Sequence, residues 1–399
     1  MSAVSDWHII RVKSRRTAAL ERHHPWVFSG ALVEEDLEGI EAGDLVELRS
    51  NTGEFLARGY YEDANIAVYL LTFDRIEVDE KFWSQRLRSA LALRTQLGLT
   101  TAPDSAYCLV NAEGDDLPGL VVDVYGDLAI VQAYTLGMHR LRGELFAALH
   151  AVLGDRLTAI YYKPEPESIR KYEGVIDGSI TAVNECFASE DSRLFHLNLS
   201  LGQRHGFPLD QRDNHRLVQE LAGGRSVLST FAYSGGFSLA ALKGGATKVT
   251  SVESSGRALS LLERNIELNF SDVGAIQHES IQTDEFGYLK QVPLGHYDMI
   301  VLDPPAFASR KGMVRNALQG YRKLNTDALR ALSPGGLLFT FSYSPVVTTE
   351  QFRQSVFHAA LQAQREVKVL STLTQAKDHP VSIYHPEGEY LKGLLLYVS

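Results

Sequence analysis

The sequence predicts an α/β protein in three parts: a small β-rich module, a central α+β piece, and a doubly wound parallel sheet with helices on both faces. Three observations carry this expectation. Residues 8–73 break into short β-rich runs separated by turns, the pattern of a small barrel or sandwich. Residues 79–98 switch to helical spacing before 106–187 alternate again. From about residue 213 strand-like and helix-like runs alternate, which builds a parallel sheet by crossover connections.

The elements follow in order. Trp26-Val27-Phe28 precedes Ser29-Gly30, 44–48 alternates before the turn Asn51-Thr52-Gly53, and 55–61 and 67–71 complete the first set of strands. Phe82, Leu87, Leu91 and Leu93 stand among charges and predict a connecting helix. Residues 119–125 and 128–133 predict a hairpin about Gly126-Asp127, then a helix near 139–153 and a strand at 159–162. In the last part 226–231, 248–253, 296–303 and 336–341 read as strands, with helices at 237–243, 257–269 and 321–332. The expected domains are therefore 1–76, 77–190 and 191–399.

A chain of 399 residues suits two or three domains at about 150 residues each. With 45% apolar and 22% charged residues, it is a globular chain and neither disordered nor fibrous. Its two cysteines, Cys108 and Cys186, lie far apart; they make neither a disulfide framework nor a zinc site and suit a reducing cytosol. No apolar run reaches the roughly 18 residues that span a bilayer, so a cytoplasmic location without a membrane partner is expected. The thirteen histidines show no H-E-x-x-H or Cys/His ligand spacing, so no metal is expected. The net charge of -10 argues against a coat-like nucleic-acid binder, yet leaves room for one local basic face. Such a face can begin in the first thirty residues, which hold five Lys/Arg against Asp6 and Glu21.

Ligands of doubly wound sheets sit beyond the carboxyl ends of the strands, so those ends carry the chemistry. The first ends in Phe231-Ala232-Tyr233-Ser234-Gly235-Gly236-Phe237; two glycines let the backbone turn sharply and approach a ligand closely, and the next helix offers its amides. The second ends at Glu253, seventeen positions after Gly236, where a carboxylate can accept both hydroxyls of a ribose. The pair favours a nucleoside-containing cofactor. The G-x-G-x-x-G spacing that seats a pyrophosphate is absent, so S-adenosylmethionine fits better than NAD. A third strand end carries Asp303-Pro304-Pro305-Ala306-Phe307. Two prolines stop the ladder and hold a rigid turn, the acid can orient a nitrogen-bearing group, and the aromatic ring can stack on a base.

These motifs, with Asn265-Ile266-Glu267-Leu268-Asn269, resemble a class I S-adenosylmethionine-dependent methyltransferase. Four other segments narrow the resemblance. His24-Pro25-Trp26-Val27-Phe28-Ser29-Gly30 resembles the opening of a PUA-type RNA-binding domain, and Gly114-Asp115-Asp116-Leu117-Pro118-Gly119-Leu120 the start of the central domain. Leu209-Asp210-Gln211-Arg212-Asp213 resembles the beginning of the catalytic domain. His379-Pro380 with Pro386-Glu387-Gly388-Glu389-Tyr390-Leu391-Lys392-Gly393 resembles its closing hairpin. In this order, over nearly the whole chain, they are similar to the PUA-containing large-subunit rRNA cytosine-5 methyltransferases. The resemblance implies a Rossmann-like catalytic domain, S-adenosylmethionine as cofactor, large-subunit rRNA as partner, and a homodimer. It implies that Asp210, Gln211, Arg212, Phe231, Tyr233, Ser234, Gly235, Gly236, Glu253 and Asp303 surround the cofactor. It places the adenine-reading acid near Glu279-Ser280, and Asp303, Pro304, Phe307 and Tyr343 at the target base.

The sequence departs from that family at one decisive place. Cytosine C5 is methylated after a Cys thiolate adds to C6, and the family carries that Cys after the strand that follows Asp-Pro-Pro. Here the stretch reads Phe341-Ser342-Tyr343-Ser344-Pro345. A phenol with a pKa near 10 is a far weaker nucleophile for this step than a thiol. The family's Lys-Thr-Gly is Arg204-His205-Gly206. Three options stay open: methylation of another atom such as a guanine nitrogen, an unrecognised nucleophile, or a catalytically impaired rRNA-binding or assembly factor on the same scaffold.

Overall fold

A computed structural model describes residues 7–177, 186–197, 207–272 and 277–399; Arg204-His205-Gly206 lie outside them. The chain divides into two compact units, Met1–Ala188 with Lys377–Gly388, and Ser189–Ala376 with Glu389–Ser399.

The first unit holds two five-stranded sheets. One is β1 (His8–Val12), β2 (Trp26–Phe28), β3 (Leu45–Ser50), β4 (Phe55–Tyr61) and β5 (Ile66–Thr72), in the order β1-β3-β4-β5-β2. Its core is the alternating set Ile10, Val12, Val46, Leu48, Ala57, Val68 and Leu70. The helix Glu80–Gln96 follows. The second sheet is β6 (Ala106–Asn111), β7 (Leu120–Tyr125), β8 (Leu128–Ala133), β9 (Ala159–Pro164) and β10 (Gly174–Asp177), in the order β10-β9-β8-β7-β6. The single helix expected near 139–153 is two, Leu136–Arg140 and Arg142–Leu153. Both cysteines belong to this unit and are buried.

Residues 377–388, expected in the last domain, group with this first unit. Buried polar contacts explain why. The Asp378 carboxylate accepts the Cys108 N–H at 2.9 Å. The fully buried Arg94 donates to the Cys108 and Asp378 carbonyls at 2.7 and 2.6 Å and forks onto Asp115. Among the described residues two groups each bring metal-capable atoms within 4.8 Å of one another: His24, His385 and Glu387 in one, and Cys108, Asp123 and His379 in the other. In the first, His24 Nδ1 accepts the Trp26 N–H at 3.2 Å. The neutral ring then carries its proton on Nε2, the nitrogen that faces Glu387.

After the two-stranded ladder of β11 (Cys186–Glu190) and β12 (Arg193–Leu197), the second unit builds a seven-stranded sheet. Its strands are β13 (Ser226–Thr230), β14 (Lys248–Glu253), β15 (His278–Gln282), β16 (Tyr297–Leu302), β17 (Leu332–Ser342), β18 (Val367–Leu373) and β19 (Lys392–Val398). The order is β15-β14-β13-β16-β17-β19-β18, with β19 antiparallel to both its neighbours. Helices cover a parallel sheet on both faces, which is why the run Met299-Ile300-Val301-Leu302 is apolar throughout and buried. The order reverses between β13 and β16, the switch point where such sheets bind ligands.

Two element starts differ from the sequence reading by four residues or more. The helix expected from 321 spans Val314–Ala331. Gly320 weakens its first turns as a sequence signal, but a Cβ there would stand 3.2 Å from the Phe307 ring, and Ala317, Tyr321, Leu324 and Ala328 form its buried stripe. Likewise β17 starts at Leu332 rather than 336, because Leu332 pairs with Tyr297 before the register shifts. No helix among the described residues is long and apolar enough to cross a membrane.

Candidate cofactor and catalytic site

The carboxyl ends of β13 to β17 line one edge of the sheet, with the switch point between β13 and β16. The loop after β13 is strained: Phe231 and Tyr233 adopt φ of 55° and 45°, and Gly235 φ of 90°. Bulky side chains in this region cost about 1–3 kcal/mol each and cluster at functional sites. Neighbouring groups hold the loop. Asn265 donates to the Ser234 carbonyl at 2.9 Å, and the Glu253 carboxylate accepts the Tyr233 and Ser255 N–H groups at 3.1 and 2.9 Å. A Cβ on Gly236 would come within 2.5 Å of the His215 ring, and one on Gly235 within 2.8 Å of Leu262. Ser234 Oγ is buried without a hydrogen-bond partner among the described residues.

Across the switch point lies an acidic pair. Gln211 donates to Asp303 at 2.8 Å and is itself held by Asn214 at 2.6 Å. Tyr390 donates to Asp210 at 2.9 Å. Among the described residues no Lys or Arg pairs with Asp303 or Asp210. Burial and the charge of Asp210 push the Asp303 carboxyl up to about 8, against the hydrogen bond from Gln211. Burial, then the charges of Asp210 and Asp303, push the Tyr343 phenol well above its ordinary value. Its ring stacks on Tyr390, centroids 6.4 Å apart.

This donor set fits S-adenosylmethionine. A carboxylate ends the second strand, where a ribose diol can be read, and an orphaned hydroxyl and two cramped glycines line the turn. The uncompensated acid pair suits a cationic amino-acid end.

The structure thus brings Asp210, Gln211, Asp303 and Tyr343 into one connected cluster, and Tyr233 and Glu253 into contact at the neighbouring strand ends. Arg212 is buried, and its charge acts on Glu190. Phe307 is half-buried and spends one face on Tyr321, centroids 4.6 Å apart. Pro304 is buried in the turn.

Glu279 and Ser280 fall inside β15 rather than beyond it, because the strand runs on to Gln282. Glu279 is exposed and pairs with Lys248 at 2.8 Å. The acid past that strand end is Asp284, which caps the helix Glu285–Gln291 through the Gly287 N–H at 2.6 Å. Sequence reasoning missed it, although Thr283-Asp284-Glu285 before an apolar run is a helix-start signal. Tyr390 was also missed as a partner of Asp210, having been read only as part of the closing hairpin.

A further buried group supports the loop from below. Glu190 accepts from His215 at 2.8 Å and from Arg193 at 2.9 Å. Burial alone would raise this carboxyl, but the charges and hydrogen bonds of His215 and Arg193 outweigh it and hold the pKa at about 2. A depressed carboxyl stabilises the fold above its unfolded value, and that contribution fades as pH falls from about 4.5 towards 2. Glu190→Gln should cost about 3–5 kcal/mol at neutral pH. Denaturant melts at pH 7 and pH 3 check this, the gap between wild type and variant narrowing at the lower pH.

Comparison with known proteins agrees with this geometry. The S-adenosylmethionine-dependent methyltransferase family matches residues 160–369, and the PUA-like domain family residues 10–73. A ribosomal RNA large subunit methyltransferase I from Tolumonas auensis is 37% identical over 97% of this chain and 98% of its own. One of the same name from Shewanella denitrificans is 36% identical over 98% of this chain and 99% of its own. A crystal structure of a putative methyltransferase complexed with SAH superposes with a TM-score of 0.81 at 24% identity, over 98% of this chain and 99% of that one.

Proposed function

Since this chain belongs to the S-adenosylmethionine-dependent methyltransferases, with full-length relatives named ribosomal RNA large subunit methyltransferase I, we propose that it methylates a base of large-subunit rRNA on a ring or exocyclic nitrogen. The PUA-like domain matched at residues 10–73 supports RNA as the partner. The resemblance also implies a homodimer, for which light scattering on the purified chain is the check.

When bound, the cofactor supplies an electrophilic methyl group. Glu253 accepts the two ribose hydroxyls, Asp284 reads the adenine side, and Asp210 takes the cationic amino-acid end. Asp303 on its rigid Pro304-Pro305 turn orients the base. A base extruded from RNA costs a few kcal/mol to unstack, which hydrogen bonds from polar groups at the strand ends would repay.

The choice of nitrogen rests on one observation: no thiol stands at a strand end of the described sheet. Cys108 and Cys186 belong to the first unit. Burial, with nearby acids, holds the Cys108 thiol well above its usual value and pushes that of Cys186 up to about 12. A nitrogen lone pair needs no covalent help: the N–CH3 bond would form as the S–CH3 bond breaks to a neutral thioether, and the N–H proton would leave to water or to the ionised Asp303 carboxylate. Tyr343 therefore serves as a wall and a hydrogen-bond partner of Gln211. Tyr343→Phe should keep kcat within about tenfold, since one neutral hydrogen bond contributes about 0.5–1.5 kcal/mol. A loss beyond a hundredfold in steady-state methylation would instead make the phenol a reactant. The function itself is tested by tritium transfer from labelled S-adenosylmethionine to large-subunit rRNA from cells lacking this protein.

A further inference from the structure

Residues 304–326 hold five cations, Arg310, Lys311, Arg315, Arg322 and Lys323, and no acid, in a chain of net charge -10. The run begins at the second position of the Asp303-Pro304-Pro305 motif. Its arginines and lysines are exposed. Among the described residues, none of Arg310, Lys311, Arg315 and Arg322 forms an ion pair. Some exposed cations elsewhere are paired, as Arg11 is with Asp36, Arg140 with Glu41 and Asp44, and Lys248 with Glu279.

These side chains share a groove. Lys311, Arg315 and Arg322 line one wall of a cleft of about 570 Å³, and Gln351, Gln354 and His358 line the other. The walls are the helices Val314–Ala331 and Thr349–Ala363, which pack side by side. They follow β16 and β17, which run parallel. In that topology both helices start at the carboxyl edge of the sheet, the edge that carries Asp303 and Tyr343. The groove therefore opens beside the catalytic turn and runs away from it along the helix pair. Its lining mixes these cations with amide and imidazole groups and with the apolar Val314 and Leu318; three separate charges along one wall suit a chain of phosphates rather than a single anion. Arginine and lysine contacts to phosphate position a nucleic acid without reading its sequence.

We propose that this groove binds the phosphate backbone of the RNA strand that flanks the target base, making it a second RNA contact apart from the PUA-like domain. The proposal rests on the RNA-methyltransferase reading above. It assigns Lys311, Arg315 and Arg322 as backbone clamps that hold the strand while the base enters the Asp303 site.

The test uses the full chain and a large-subunit rRNA fragment as probe. The triple variant Lys311→Gln/Arg315→Gln/Arg322→Gln removes charge from exposed positions. A charge-keeping triple, Lys311→Arg/Arg315→Lys/Arg322→Lys, controls for packing. Single-stranded contacts lower the slope of log K against log salt by about 0.7 each, so the neutral triple should flatten the slope by about 2. RNA KM should rise at least tenfold, with kcat at saturating RNA and the cofactor Kd by calorimetry unchanged, and the charge-keeping triple should behave as wild type. An unchanged salt slope and KM in the neutral triple would overturn the groove proposal while leaving the methyltransferase reading intact. Wild-type chain that transfers no methyl to RNA would overturn that reading instead. Filter binding, which needs no turnover, still judges the groove: a flattened slope supports it and an unchanged one removes it.

Discussion

Asp303→Asn should all but abolish methyl transfer and yet give a more stable protein. The loss follows from position: the carboxyl sits on a rigid Pro-Pro turn at the switch point, held by Gln211 at 2.8 Å. Removing one preorganised group of this kind costs roughly 10²–10³ in rate. The gain follows from linkage. Burial and the charge of Asp210 raise this carboxyl from 3.8 to about 8, so the folded state binds the proton more tightly than the unfolded chain. Stability then falls as pH rises from about 4 to 8, and the penalty is complete above 8. Asparagine carries no proton to lose. The variant should gain on the order of 1–2 kcal/mol above pH 8, a discounted fraction of the full linkage, and nothing below pH 4. Thermal melts across this range, beside single-turnover methylation, check both halves. A variant with unchanged melting at pH 8.5 would remove the strained-acid account of the site.

Glu253→Ala should weaken cofactor binding about a hundredfold, the loss of roughly two charge-assisted hydrogen bonds at about 1.5–3 kcal/mol each, partly offset by water. The carboxylate also accepts the Tyr233 and Ser255 N–H groups, and Tyr233 sits at a φ of 45°. Alanine therefore leaves amides unpaired and lets the β13 loop relax, which adds to the affinity loss. Glu253→Gln keeps an acceptor for one amide and should fall between alanine and wild type. Calorimetric titration with S-adenosylmethionine reads the order directly. Equal affinity in all three proteins would place the ribose elsewhere.

Much of this was legible in the sequence because local signals and the tertiary arrangement agree. The Gly235-Gly236 turn, Glu253 and Asp303-Pro304-Pro305 were read as strand ends, and the sheet places all three there. Periodicity located the hairpin about Gly126-Asp127 to the residue, since a two-residue turn leaves little freedom. Elsewhere the information is not local. The resemblance puts the adenine-reading acid near Glu279-Ser280, and nothing local marks the strand that holds them, because the five-residue edge strand His278–Gln282 is of mixed polarity and lacks the apolar run of a buried strand. The return of 377–388 to the first unit depends on Arg94 and Asp378, which are 284 positions apart. The Asp210–Tyr390 contact spans 180 positions. No window of sequence contains both members of such pairs. The strained φ at Phe231 and Tyr233 is equally silent, because aromatic side chains are the last to be expected there.

The proposed reaction is methylation of large-subunit rRNA at a nitrogen, through a site built on Asp303 and without a thiol. Nucleoside mass spectrometry on rRNA treated with wild-type protein and with Asp303→Asn tests it most directly. One N-methylated nucleoside made by the wild-type chain is expected, and none made by the variant. A digest that contains 5-methylcytidine made by the wild-type chain would contradict it.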